Sequence, residues 1–176
     1  AHDNILSVKI DGATKEELVW GFRTGFITYG GKSLDASAIS VLEKKTMGAI
    51  RSTVSSCSTI SQNIILKGMR SITYHQEKAA IAAKMKGRYL QVKKAVSNIP
   101  KDVPLIPLPF NSGYFMTFAV QRIDAEILRK YLLLNYGVGT ISIGSKFLRV
   151  AFSSVDVNNI HDLFGTIIKA ARELDG

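Results

Sequence analysis

Lys15 and Arg23 stand in the stretch DGATKEELVWGFRTGF (11–26), with Gly12, Gly21 and Gly25 around them. A lysine that reacts with an aldehyde must be a single, positioned amine able to lose its proton, with a second site nearby that grips the rest of the aldehyde. Phosphate is a good handle for that grip. Arginine takes it through a planar fork, and flanking glycines let the backbone come close. The pair has these parts. In a basic chain the same spacing also arises between unrelated surface cations, so taken alone it leaves both readings open.

The elements around the pair must hold it still. The three glycines break any continuous helix, so the stretch reads as strand end, loop and new strand. A buried strand is expected over Ile5–Ile10, ending at Asp11 and Gly12, and a second over Phe22–Tyr29, closing at Gly30 and Gly31. Trp20 is expected to fill core beside the loop. Helical patterning follows, with Ile39, Leu42, Ala49 and Ile50 on one face and Ser33 or Asp35 as the cap. The serine-rich STVSSCSTISQ reads as a loop, and Ile60, Ile64, Ile65 and Met69 mark a further short helix.

From Thr73 to Ser97, Ile81, Met85, Tyr89, Val92 and Val96 step by three and four, the pattern of one long amphipathic helix that Pro100 ends. All four prolines lie in PKDVPLIPLPF, which reads as an extended linker. Beyond it GYFMTFAV is a strand, with Tyr114 and Phe115 expected in the core. Asp124 caps a helix that Gly137 stops. Strands over 138–143 and 147–152 flank a turn at Gly144 and Ser145, and a closing helix starts near Asp156. The expected class is mixed α/β, with a first part over 1–72, a connecting helix and linker over 73–104, and an α+β unit over 105–176.

Composition narrows the function classes. With 46% hydrophobic residues in 176, the chain can bury a real core. No run approaches the roughly 18 apolar residues of a spanning helix, and AHDNILSV lacks the basic and apolar regions of a signal peptide. A soluble, cytoplasmic protein without a membrane partner is expected. The chain starts without Met, consistent with a processed or truncated piece. Cys57 is the single cysteine, so neither an internal disulfide nor a thiolate zinc cluster is available, and it reads as a quiet small residue. His2, His75 and His161 are scattered without partners at metal spacing, and no metal is expected.

The net charge of +9 would suit nucleic acid, an anionic membrane or an anionic small ligand. A dense basic patch occurs only in KMKGRYLQVKK (84–94), where the apolar residues keep helical spacing, as a solvated helix face does. A basic module for nucleic acid stays as an alternative. It lacks an aromatic and basic platform or a recognition motif, so no nucleic-acid partner is expected.

GATKEELVWGFRTG resembles the pyridoxal-phosphate attachment signature of the class I and II aminotransferases, fold type I, of bacterial type. The resemblance implies that Lys15 carries pyridoxal 5'-phosphate and that Arg23 binds its phosphate. Where the family often has a phosphate-binding serine, three positions before the lysine, stands Gly12, and Thr14 is the substitute; Thr24 replaces the usual apolar residue. The serine-rich loop, the long helix, the proline-rich crossing, FNSGYF and LRVAFSS follow in the family's order. The match implies that Arg149 binds the substrate α-carboxylate; Asn111 or Ser112 is read as a further contributor to the substrate pocket, with Asn111 taken as the candidate. Arg149 could otherwise be a plain strand arginine.

The resemblance further implies the end of the cofactor-binding large domain, a connecting helix and an α+β small domain. The implied activity is amino-group transfer between an amino acid and a 2-oxo acid in a homodimer. The ring-stacking aromatic and the asparagine and aspartate that face the pyridine precede the lysine in the family and have no counterpart here, so the fragment alone is expected to be inactive. A C–S (β-) lyase of the same fold is the nearest alternative, because the cofactor is the electron sink and the protein selects which bond breaks.

Overall fold

The computed structural model describes residues 2–176. The chain divides into two compact units, one up to Lys78 and the other Ala79–Gly176. The long helix α4 (Tyr74–Val96) gives its first turn to one and the remainder to the other.

In the first unit, β1 (Ser7–Gly12) pairs antiparallel with β2 (Gly25–Gly30), with Ser7 opposite Gly30 and Gly12 opposite Gly25. Both strands begin later than the sequence pattern implies. The second cannot start at Phe22 because Trp20–Phe22 forms a 3-10 turn and Arg23 takes a left-handed backbone, φ 51°. Gly25 suits the close pairing, since a Cβ there would stand 3.3 Å from the Asp11 carbonyl oxygen, a tight approach. The connection also holds a single helical turn, α1 (Ala13–Glu16). Two helices follow, α2 (Ala36–Thr53) and α3 (Thr59–Met69). Asp35 is the cap of α2, accepting from the Ala38 amide at 2.7 Å, whereas Ser33 donates to the Asp3 carbonyl.

Burial in this unit is sparse. Ala13 and Ile65 are its buried apolar residues among those described, and no residue of α2 is buried. Trp20, expected in core, is 76% exposed: the 3-10 turn carries it on the outside of the connection.

The second unit holds a four-stranded antiparallel sheet in the order β3-β4-β6-β5, from β3 (Leu105–Pro107), β4 (Phe115–Val120), β5 (Ile141–Ile143) and β6 (Phe147–Ala151). The proline-rich stretch opens with a turn, in which the Val103 amide donates to the Pro100 carbonyl at 3.1 Å, and then supplies β3, with Val103, Pro104 and Leu105 buried. Helices α5 (Ala125–Tyr136) and α6 (Ile160–Asp175) complete the unit. Asp124 accepts from the Glu126 and Ile127 amides, and Gly137 ends α5 in the left-handed conformation, φ 64°.

One sheet face is core. Met116, Phe118, Leu148 and Val150 pack with Val92 and Val96 of α4, Leu128 and Leu132 of α5, and Phe164 and Ile167 of α6. Strand alternation puts Phe115, Thr117, Phe147 and Arg149 on the other face. Phe115, expected in core, is therefore exposed on that outer face, while its neighbour Met116 is buried.

Candidate functional site

The connection between β1 and β2 gathers three of the residues singled out in the sequence. Thr14 and Lys15 lie on α1 and Arg23 sits where the chain re-enters the sheet. The mouth is closed by the Ala13 amide donating to the Thr24 carbonyl at 3.0 Å, one step past the Gly12–Gly25 pair. Thr14 is half-buried, and Lys15 and Arg23 are exposed.

Arg23 is held from behind by Thr24 and Cys57, to which the sequence pattern assigned no part in the site. Thr24 is buried and its hydroxyl donates to the Phe22 carbonyl at 3.2 Å. The Cys57 thiol donates to the Arg23 carbonyl and shares a further contact with the Thr24 hydroxyl, each at 3.5 Å. A bulky non-glycine residue with positive φ is uncommon and persists where its surroundings over-determine it. Leu18, in the same connection, has φ 59°.

A second anchor ties the connection to α4. Glu17 accepts from the Tyr74 hydroxyl at 2.6 Å and from Lys78 Nζ at 2.8 Å, and Lys78 reaches the Tyr74 oxygen at 3.1 Å. Burial pushes the Glu17 carboxyl up, but the hydrogen bonds from Lys78 and Tyr74 outweigh it and hold it below the usual value. The hydrogen bond of Lys78 to Glu17 first, and that to Tyr74 second, raise Lys78. Glu17 and Tyr74 border a cleft of about 490 Å³ that Phe22, Ile64 and Met69 also line. The i, i+4 spacing of Tyr74 and Lys78 was the one local sign of this cluster.

Arg149 belongs to the second unit. On the outer sheet face it stands between Thr117 of β4 and Ile141 of β5, directly opposite both. Its guanidinium carbon lies 4.8 Å from the centre of the Phe115 ring, a cation–π contact. Its Nε is buried and has no hydrogen-bond partner. Asn111, in the same unit, is exposed ahead of β4, and its Oδ1 accepts from Ser112 at 3.4 Å. Arg88 of α4 donates through Nη1 to the Ser153 carbonyl, and its Nε is likewise buried without a partner.

The donor sets suit two ligands. An amine, a guanidinium and a hydroxyl on one short connection match the aldehyde and phosphate ends of a phosphorylated aldehyde. An orphaned guanidinium N–H on a rigid strand matches a carboxylate. Among the described residues no three His, Cys, Asp or Glu side chains converge as a metal site, and no helix is long and apolar enough to cross a membrane.

No protein-family model and no curated protein matches the sequence. Solved structures do match. An aminotransferase from Anaerococcus prevotii superposes with a TM-score of 0.72 at 23% identity, over 97% of this chain and 40% of its own. The α-aminoadipate aminotransferase of Thermus thermophilus, complexed with N-(5'-phosphopyridoxyl)-L-leucine, gives 0.70 at 15% identity, over 95% of this chain and 42% of its own. The multiple substrate aminotransferase of Thermococcus profundus gives 0.70 at 17%, over 94% and 40%. The chain spans about two fifths of the length of these structures. Its mixed α/β architecture is thus the fold of a portion of an aminotransferase.

Proposed function

We propose that the chain is the C-terminal part of a pyridoxal-phosphate-dependent aminotransferase that moves an amino group between an amino acid and a 2-oxo acid. The observation that carries the reading is the placement of Thr14, Lys15 and Arg23 on one connection between paired strands, in a chain with this fold. Bound pyridoxal phosphate supplies an aldehyde that an amine can capture and a ring that accepts electrons. Lys15 offers the amine and acts as the residue that holds and moves a proton at its Nζ. Arg23 and Thr14 hold the phosphate, with the left-handed turn at Arg23 fixing where the guanidinium starts.

Arg149 holds the substrate α-carboxylate. Its strand is buried on the core side and its guanidinium rests on Phe115, so little freedom is lost on binding. Asn111 lines the same pocket from the segment before β4. The complete enzyme acts as a cytoplasmic homodimer, and the 176 residues alone are inactive because they bring holders for the aldehyde and phosphate but none assigned to the ring.

The test is borohydride reduction of the chain mixed with pyridoxal phosphate, followed by peptide mass analysis. Labelling concentrated on the Lys15 peptide, and reduced in Arg23→Lys, supports the reading. Labelling spread evenly over Lys9, Lys15 and Lys32 would overturn it. The β-lyase alternative uses the same residues and separates by product: a keto acid with released thiol and ammonia rather than a transferred amino group.

A further inference from the structure

The cation proposed to hold the carboxylate is embedded in an apolar surface. On the outer sheet face the strand register defines three rows. Thr117, Arg149 and Ile141 form the middle one; Ile106, Ala119, Phe147 and Ile143 form the row to one side; Phe115 and Ala151 form the row to the other. Side chains directly opposite across strands point to the same face, with Cβ atoms about 5 Å apart. Arg149 is the single charged residue in these rows. Ile106, Ile141 and Ile143 are each close to half exposed, although their helix-side neighbours Leu105 and Leu148 are buried.

A small carboxylate docked on Arg149 has its next few atoms within about 5 Å, the distance to the neighbouring strand. Those atoms meet Ile141, Phe147 and Phe115. An apolar side chain gains there by covering aliphatic and aromatic surface. A second carboxylate finds no cation on this face to receive it and covers less of the apolar surface, so it gains less there than an aliphatic or aromatic side chain.

We infer that this sheet face selects amino acids and 2-oxo acids with apolar side chains over those with a second carboxylate, and that Ile141 and Phe147 set the preference. The inference rests on the reading of Arg149 as the carboxylate holder.

The experiment uses the 176-residue chain labelled with nitrogen-15. The Arg149 Nε–H signal is assigned by its loss in Arg149→Lys, and the chain is titrated with 4-methyl-2-oxopentanoate, phenylpyruvate and 2-oxoglutarate. The two apolar acids are expected to move that signal at roughly tenfold lower concentration than 2-oxoglutarate. Thr117→Lys places a second cation beside Arg149 and is expected to reverse the order. Equal or tighter binding of 2-oxoglutarate to the unaltered chain, or an order unchanged by Thr117→Lys, overturns the selectivity while leaving the carboxylate role of Arg149 standing. If none of the three acids moves the signal, the carboxylate role falls with it. Labelling of Lys15 by pyridoxal phosphate is read separately and bears only on the cofactor half of the proposed function.

Discussion

The thiol of Cys57 lies 3.5 Å from the carbonyl oxygen of Arg23, linking the loop after α2 to the guanidinium-bearing residue of the β1–β2 connection proposed to grip a phosphate. The contact is weak as hydrogen bonds go, yet it meets a backbone already held in a disfavoured region. Cys57→Ala is therefore expected to cut borohydride labelling of Lys15 severalfold at limiting pyridoxal phosphate, with Cys57→Ser retaining more of it. Unchanged labelling in Cys57→Ala would show that Thr24 alone suffices.

Arg23 carries a local cost. A left-handed backbone costs a non-glycine residue roughly 1–2 kcal/mol, more than the roughly 0.5–1 kcal/mol that a glycine loses through its freer unfolded chain. Arg23→Gly is expected to raise stability by a few tenths to about 1 kcal/mol while abolishing selective labelling of Lys15. A urea midpoint that falls in this variant would contradict the strain account.

The Glu17–Tyr74–Lys78 cluster should give the first unit a defined pH window. The Glu17 carboxyl is lowered from its ordinary value of 4.5, so its contribution is present above that pH and is lost as the pH falls through the folded value. Lys78 is raised from 10.5, so its contribution is full below 10.5 and is lost as the pH rises through its folded value. Hydrogen exchange at the start of α4 is expected to quicken below about pH 4.5, with Glu17→Gln showing fast exchange already at pH 7. Identical pH profiles for the two proteins would remove the cluster from the account.

Stability should be unequal between the units. The core cluster runs from Val92 to Ala171 and lies wholly in the second, whereas the first buries Ala13 and Ile65 among its described apolar residues. Limited proteolysis is expected to remove the first unit and leave a resistant fragment beginning within α4. Leu148→Ala should lower the stability of that fragment by about 2–5 kcal/mol, whereas Val41→Ala on exposed α2 should change the stability of the uncleaved chain by less than about 0.5 kcal/mol. Cleavage starting in 105–176 would contradict this.

Exposed apolar side chains on β1, β2 and α2, among them Val8, Ile10, Phe26 and Met47, make association of the isolated chain the expected behaviour. Sedimentation should show mass rising with concentration, and Ile10→Lys should lower it. A monomer at all accessible concentrations would refute the expectation.

Local chemistry was legible in the sequence where the deciding partner is a near neighbour. Asp35 and Asp124 cap helices because their carboxylates reach amides two or three residues on, and Gly137 ends α5 because glycine accepts a left-handed backbone without penalty. The hairpin shared by Lys15 and Arg23 was marked by its glycines, and the apolar stripe of α6 by its period. What the tertiary structure alone decided depends on residues far apart in the chain. Cys57 meets Arg23 across the intervening β2 and α2, and Glu17 meets Tyr74 and Lys78 only because the start of α4 is brought back to the connection. Phe115 and Met116 are both large and apolar, so composition could not say which faces the core; the pairing of Phe115 with Ala151 and of Met116 with Val150 did. Strand alternation allows either face to be buried, and the helices packed on one of them made the choice, leaving Arg149 on the other.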